Sequence, residues 1–328
     1  MAGGRTWPLT PGGVDTITVG MVSPWRFTFF ALASWWCCQP APAAEIFRVA
    51  TYNVESYLDQ PLGGRPVKSA EARAKVREAL LALRADVVAL QEMGSTNALL
   101  ELRASLAAEG LAYPHWEHVT GHDTNIHVAV LSRFPIIARH PHTNDSFLFL
   151  GRRFQVARGF AEVDIQVNPR YSFTLFTGHL KSRRPSAGAD EAELREQEAL
   201  ILREIIADRL KASPEANLLV LGDFNDTKDS RSIRALIGRG RLALVDTRPA
   251  ERNGDDHPNP NPRFEPRQVA WTHYYGKEDT YSRIDYILLS PGLAREWDQR
   301  HTYVLALPNW GTASDHRPIV AGFFAEDR

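Results

Sequence analysis

Cysteine is scarce in this chain: among 328 residues there are two, Cys37 and Cys38, side by side in one apolar run near the N-terminus. Removal of that segment would leave a mature chain with no thiol, which excludes both a disulfide framework and a thiolate metal site. A lipid-anchored cysteine needs a small residue before it, and Trp36 stands there instead. An excess of charge of one sign is also missing. With 38 basic against 39 acidic residues, no global field draws the protein onto a polyanion, so any such binding must be local. The run from Phe27 to Cys38 is too short to span a bilayer comfortably. Internal repeats are absent.

An apolar content of 44% is enough to bury a sizeable core, and one large domain over residues 45–328 accounts for it. The first 44 residues read as a processing segment. Met21 opens a short stretch with one positive charge and is a possible true start; the apolar run follows, and Ala41-Pro42-Ala43 supplies the small-x-small pattern that signal peptidase cleaves. The expectation is a secreted or periplasmic protein beginning near Ala44, with no stable membrane insertion after cleavage. A short membrane anchor or a buried N-terminal helix is the alternative.

Along the rest of the chain, Ile46–Val54 alternates and reads as a first strand. Ser69 is placed to cap a helix whose face carries Ala72, Val76, Leu80 and Leu83. Asp86 opens a strand ending in Gln91-Glu92, and a second helix runs from about Ser95 to Gly110, where glycine stops it. His127 to Pro135 is a strand closed by a proline turn. Gly151-Arg152-Arg153 separates Phe147–Leu150 from a strand over Phe154–Val167, and Ser172–Leu180 is another. A long helix over about Asp190–Lys211 sets Leu194, Ile201 and Ile205 with Leu202, Ile206 and Leu210 on a broad apolar face. Residues 249–267 form a Pro/Asn/Asp-rich loop, either a binding loop or surface decoration. Strands return at Ala270–Tyr275, Arg283–Leu289, Thr302–Ala306 and Ile319–Phe324. Strands with helices inserted between them predict two packed sheets flanked by helices.

Leu218-Leu219-Val220-Leu221-Gly222-Asp223-Phe224-Asn225-Asp226 carries the clearest chemistry. The apolar run reads as a strand buried on both faces that stops in short polar side chains. On an extended segment, Asp223 and Asn225 would point the same way and address one atom, although Asp and Asn are also ordinary choices for an Asx turn. Similar polar islands close other apolar runs: Thr51-Tyr52-Asn53-Val54-Glu55, Leu90-Gln91-Glu92, Thr177-Gly178-His179-Leu180-Lys181-Ser182, Arg283-Ile284-Asp285-Tyr286 and Ser314-Asp315-His316-Arg317-Pro318.

In this order the segments resemble the endonuclease/exonuclease/phosphatase superfamily, the DNase I-like proteins that include abasic-site endonucleases, neutral sphingomyelinases and inositol phosphatases. The resemblance spans residues 46–324, and His127–Pro135 matches the superfamily's LSRFPI segment. It implies an α+β fold, a four-layer α/β/β/α sandwich with the site at one end, and a divalent-metal-dependent phosphoesterase using Mg2+ or Mn2+. Hard cations take oxygen ligands from few carboxylates plus water. Glu92 is the first metal ligand this implies; Asn53 and Asp315 match metal-region positions, and Glu55, two residues from Asn53, could add to a second position. The resemblance also pairs His316 with Asp285, an arrangement that fixes the imidazole's tautomer and favours its cation. His179, Asp223 and Asn225 complete the catalytic set, with Lys181, Arg183 and Arg184 as phosphate-binding candidates. The two arginines read equally as a solvated loop.

Gly178-His179 stands where abasic-site endonucleases often carry a tyrosine motif, and Ser282-Arg283-Ile284-Asp285 lacks the Trp-Cys-Asp-Arg of inositol phosphatases. His179-Leu180-Lys181-Ser182 looks most like bacterial secreted nucleases. A secreted nuclease acting on DNA or RNA is therefore expected. The alternatives are a sphingomyelinase-like or small-molecule phosphodiesterase, and a non-catalytic scaffold, which the intact polar set opposes. No exposed hydrophobic β-hairpin is evident to grip a membrane. Trp271-Thr272-His273-Tyr274-Tyr275 could stack a base, but burial preferences favour a core place for Trp and Tyr in a strand. No protein partner is legible.

Overall fold

A computed structural model describes residues 45–185, 188–254 and 268–328. The expected signal segment, both cysteines and residues 255–267 of the expected loop lie outside the described residues.

Alternation in the strands, both of whose faces are buried, creates the layers. In β1 (Ile46–Tyr57), Val49 joins a core between two sheets, while Ala50 and Tyr52 join a core under helices. The first sheet runs, in spatial order, β15 (Trp297–Val304), β16 (Ile319–Phe324), β1, β2 (Val87–Met93), β4 (His127–Ser132) and β3 (His115–Val119). The second runs β11 (Val245–Asp246), β14 (Asp285–Leu289), β10 (Leu218–Asp223), β9 (Tyr171–His179), β8 (Phe160–Asn168) and β5 (Ile136–Arg139). β1 and β2 pair in parallel, as do β9 and β10.

Helices α1 (Ala70–Leu83) and α2 (Thr96–Ala108) cover the first sheet through Val76, Leu80, Leu99 and Leu102. Helices α3 (Glu191–Ala212) and α4 (Arg231–Ile237) cover the second through Leu202, Ile206, Ile233 and Leu236. Their starts are written in the sequence. Ser69 Oγ, Ser95 Oγ and Asp190 Oδ1 each accept backbone N–H groups of the first turn that no helical carbonyl can reach. The result is the four-layer sandwich, with helices outside and two sheets inside. No helix among the described residues is long and apolar enough to cross a membrane.

Two expectations need correction. Phe154–Val167 is not one strand: Arg152–Gln155 (β7) pairs with Ser146–Phe149 (β6) in a separate hairpin, and Phe160 starts β8 anew after Gly159 at φ +66°. That hairpin also exposes Leu148 (67%) and Leu150 (72%), so an exposed apolar hairpin is present after all. The remaining pair, β12 (His273–Tyr275) and β13 (Thr280–Ser282), holds the aromatic run outside both sheets.

Candidate active site

The rows that face the interior between the sheets change character at one end. Taking every second residue, β1 reads Val49, Thr51, Asn53; β2 reads Val87, Ala89, Gln91; β9 reads Leu175, Thr177, His179; β10 reads Leu219, Leu221, Asp223. A period of two keeps each row on one face, so apolar members fill the core and polar members meet beyond it. Thr51 Oγ1 donates to Gln91 Oε1 (3.0 Å) and Gln91 Nε2 donates to Thr177 Oγ1 (3.1 Å), which ties the sheets together at the boundary. Left unpaired there, the amide would cost about 1–3 kcal/mol.

Strand register assembles the next layer. Asp223 lies opposite His179 of β9 and opposite Asp285 of β14, so the three side chains form one line across adjacent strands. Close strand approach at this line needs Gly222: its φ is +145°, and an added Cβ would collide with the Gly178 carbonyl.

Asp223 is the hub. Asn53 Nδ2 donates to its Oδ2 (2.9 Å) and the Asn225 backbone N–H donates to its Oδ1 (2.9 Å). His179 Nε2 lies 3.4 Å and His316 Nε2 3.7 Å from Oδ2. Burial, and then the nearby Asp285, push the Asp223 carboxyl up to about 6 against the His316, Asn53 and Asn225 contacts that favour its anion.

The two buried imidazoles are held in opposite states. Burial, the Arg158 guanidinium and His316 hold His179 well below the usual histidine range, and its Nδ1 has no hydrogen-bond partner among the described residues. Burial alone would do the same to His316. Asp285, whose Oδ2 is 2.9 Å from Nδ1, and Asp223 outweigh it and raise His316 well above that range. Asp285 is itself fixed: its backbone N–H and that of Ile284 both donate to the buried Thr272 Oγ1 at 3.2 Å.

The carboxylates on the wall come from irregular backbone. A regular β2 would turn Glu92 away from the face of Gln91, but Glu92 has φ +59° and the pairing on both sides of β2 shifts there. Glu92 Oε2 instead accepts from Ser56 N and Ser56 Oγ, each at 3.0 Å. Glu55 and Ser56 are also left-handed, so Glu55 is not on an extended segment with Asn53; its backbone N–H donates to Asn53 Oδ1 (3.0 Å). Burial, Asp315 and Glu92 raise the Glu55 carboxyl while Lys68 opposes them. Asp315, its side chain 44% exposed, is carried by the segment before β16, where Ser314 Oγ donates to Asn53 O (2.7 Å).

A cleft of about 1140 Å³ opens above this floor, lined by Glu55, Glu92, His179, Asp223, Asn225, Asp315 and His316. Among the expected anion binders, Arg183 and Arg184 line it. Lys181 does not: its Nζ donates to the Ser182 and Arg184 carbonyls (3.1 and 2.8 Å), so it braces its own loop. Asn225 also departs from expectation. With φ +55° it sits in an Asx turn on Asp223, and its Nδ2 donates to Leu180 O (3.0 Å). Sequence reasoning passed over Arg65, Lys68, Lys277 and His273, which line the cleft. Gly63-Gly64-Arg65-Pro66, a turn cluster carrying a cation beside the first strand, was the available signal for Arg65.

Three carboxylates, Glu55, Glu92 and Asp315, thus crowd one wall with Arg65 and Lys68 as neighbours, and Arg65 Nη1 comes only to 3.7 Å from Glu92 Oε2. An all-oxygen, anion-rich set of this kind suits a hard divalent cation. A family model described as the Endonuclease/Exonuclease/phosphatase family matches residues 50–316, and the chain belongs to that family. Its members are metal-dependent phosphoesterases, and this chain is an enzyme of that class.

Solved structures share the fold. The human nocturnin catalytic domain is 17% identical, with a TM-score of 0.58 over 85% of this chain and 94% of its own. Sphingomyelinase C from Streptomyces griseocarneus is 21% identical, with a TM-score of 0.58 over 85% and 100%. Truncated Caenorhabditis elegans TDP2 is 16% identical, with a TM-score of 0.54 over 85% and 98%. No curated protein matches the sequence.

Proposed function

We propose that the cleft hydrolyses phosphodiester bonds of DNA or RNA with Mg2+ or Mn2+, and that the protein is secreted or periplasmic. One observation carries the reading: Asp223 touches or neighbours Asn53, His179, Asn225 and His316 in one buried network under a cleft lined by Arg65, Lys68, Arg183 and Arg184. The local cations supply the polyanion affinity that the net charge of −1 does not. On the rim, Tyr275 is 40% exposed and can meet a base.

Glu92 and Asp315, backed by Asn53 and with Glu55 beside them, would hold the cation. When bound, it neutralises charge gathering on phosphate and leaving oxygens. Asp223, anionic at neutral pH, takes the proton of the attacking water. Asn225 holds Asp223 through its backbone N–H and, at 3.4 Å, through its Nδ2, which also donates to Leu180 O. His316, kept cationic by Asp285, contacts a non-bridging phosphate oxygen, the electrostatic role that usually contributes most. Neutral His179 supports the leaving oxygen.

A second reading has its own observation: Leu148 and Leu150 at the Ser146–Gln155 hairpin favour a lipid phosphodiester. Chelator-stripped protein, given Mg2+ and offered plasmid, RNA, sphingomyelin and glycerophosphodiesters, separates the two. Hydrolysis of sphingomyelin but of neither nucleic acid would overturn the first. For export, the intact mass of protein recovered outside the cytoplasm should correspond to a start near Ala44.

A further inference from the structure

We propose that His273, Asp315 and His316 form a binding site for a borderline divalent cation of the zinc class, distinct from the all-oxygen set at Glu92, whose occupation shuts the enzyme off. The inhibitory part rests on the role given above to His316; the binding part does not.

Backbone pairing builds the site. His273 and His316 are antiparallel bridge partners, locked by Tyr274 N–H donating to Asp315 O (3.0 Å) and Arg317 N–H donating to Thr272 O (2.6 Å). Directly opposed residues of such a pair project to the same side about 5 Å apart. The two rings accordingly sit with centroids 4.6 Å apart and planes at 48°, a tilted approach that sends both Nε2 atoms toward one carboxylate. His273 Nε2 is 3.6 Å from Asp315 Oδ2, and His316 Nε2 is 3.8 Å from Asp315 Oδ1. One donor atom from each residue lies within 4.8 Å of the others, the scale of a shared coordination shell.

The surroundings match a metal-binding imidazole. His316 Nδ1 is engaged by Asp285 Oδ2 at 2.9 Å, the carboxylate–histidine arrangement that orients a ligating Nε2 and raises its basicity. His316 is buried, whereas the Asp315 side chain is 44% exposed and both His273 and Asp315 line the cleft, so an entry path and an open coordination position exist. Two imidazoles and one carboxylate suit zinc and its relatives; magnesium, which prefers oxygen and keeps its water, has no reason to choose them. The two donor sets share Asp315, and the second takes the Nε2 of His316, releasing to solvent the proton that this nitrogen otherwise carries. A zinc-class ion would therefore compete with the working cation and with substrate phosphate at once.

The test uses Co2+ as a spectroscopic stand-in on full-length, chelator-stripped protein carrying Cys37→Ser and Cys38→Ser, so that no thiolate competes for the ion. With Mg2+ present to occupy the all-oxygen set, saturable binding of one Co2+ ion, with ligand-field absorption of a low-coordinate site, is expected when His273 is intact. His273→Ala and His273→Gln should each weaken it by about 100-fold or more, beyond the 10–100-fold that loss of a supporting residue costs. Zinc should abolish Mg2+-supported hydrolysis in the wild type, and at least about tenfold more zinc should be needed in either variant, in line with the weakened site. Cobalt binding unchanged in both variants, or octahedral absorption with no histidine dependence, would overturn the proposal. If no phosphodiester is hydrolysed, the functional reading fails while the cobalt titration still decides the site.

Discussion

Asp285→Asn is the sharpest probe of the buried pair. At an effective dielectric of about 20, Coulomb's law gives a protonated His316 roughly 6 kcal/mol of attraction from Asp285 at 2.9 Å, and roughly 4 to 5 kcal/mol from Asp223 at 3.7 Å. Desolvation of groups this buried offsets much of both, so the net cost of breaking the pair is expected at about 3–5 kcal/mol. The substitution removes the larger attraction while keeping the volume and a hydrogen-bonding group. His316 should titrate lower, with Asp223 left as its remaining anionic neighbour. Turnover should fall by about two to four decades with KM changed little, and stability should drop measurably. Because the two residues act through one imidazolium, Asp285→Asn added to His316→Ala should cost almost nothing more. The assay is kcat on a phosphodiester for the two single variants and the double one, with the His316 ring protons followed by NMR. Fully additive losses, or an imidazole that titrates unchanged in Asp285→Asn, would refute the pairing.

Glu92→Ala should abolish divalent-dependent activity with only a small loss of Tm, since it also frees Ser56 N–H and Oγ near solvent; retained turnover at limiting Mg2+ would count against the metal assignment. Arg184→Ala should raise KM for a polyanionic substrate in a salt-dependent way, whereas Lys181→Ala should leave KM within about twofold, because Lys181 binds its own loop. At the far end of the molecule, burial raises Glu296, which accepts from Tyr171 Oη, from 4.5 to about 7. The folded state therefore holds a proton that the unfolded state releases: the stabilisation is fully present below about pH 4.5 and is lost as pH rises through 7. The slope of Tm against pH across that window should flatten in Glu296→Gln, and an unchanged slope would exclude Glu296 as its source.

Much of the site was legible because it is a regular strand pattern that changes chemistry. Asn53, Asp223 and His179 were visible as polar closures of apolar runs, and the family resemblance carried by those runs implied a site at one end of the sandwich. Helix starts were equally plain, since Ser69, Ser95 and Asp190 are side-chain caps with a local cause. What escaped depends on irregular backbone or distant partners. Nothing local says that Glu92 turns back to the cleft, because its left-handed φ arises with the shifted pairing of β2 against both neighbours. Lys181 looked like a phosphate ligand because charge is visible in a sequence and the carbonyls that capture it are not. Short strands such as β3 and β5 carry too few residues to show a period.

The hydrogen bonds at Asn53 also set when the enzyme can first work during folding. Its side chain reaches Asp223, 170 residues away, and its carbonyl is met by Ser314, 261 residues away. Loops of that span close late, after local helices and hairpins have formed. Activity should therefore return last on refolding, behind secondary structure and core fluorescence, and a nascent chain still lacking β16 would carry most of the fold yet no working centre. For a phosphoesterase, that ordering keeps the reactive centre unassembled until nearly all of the chain has been made.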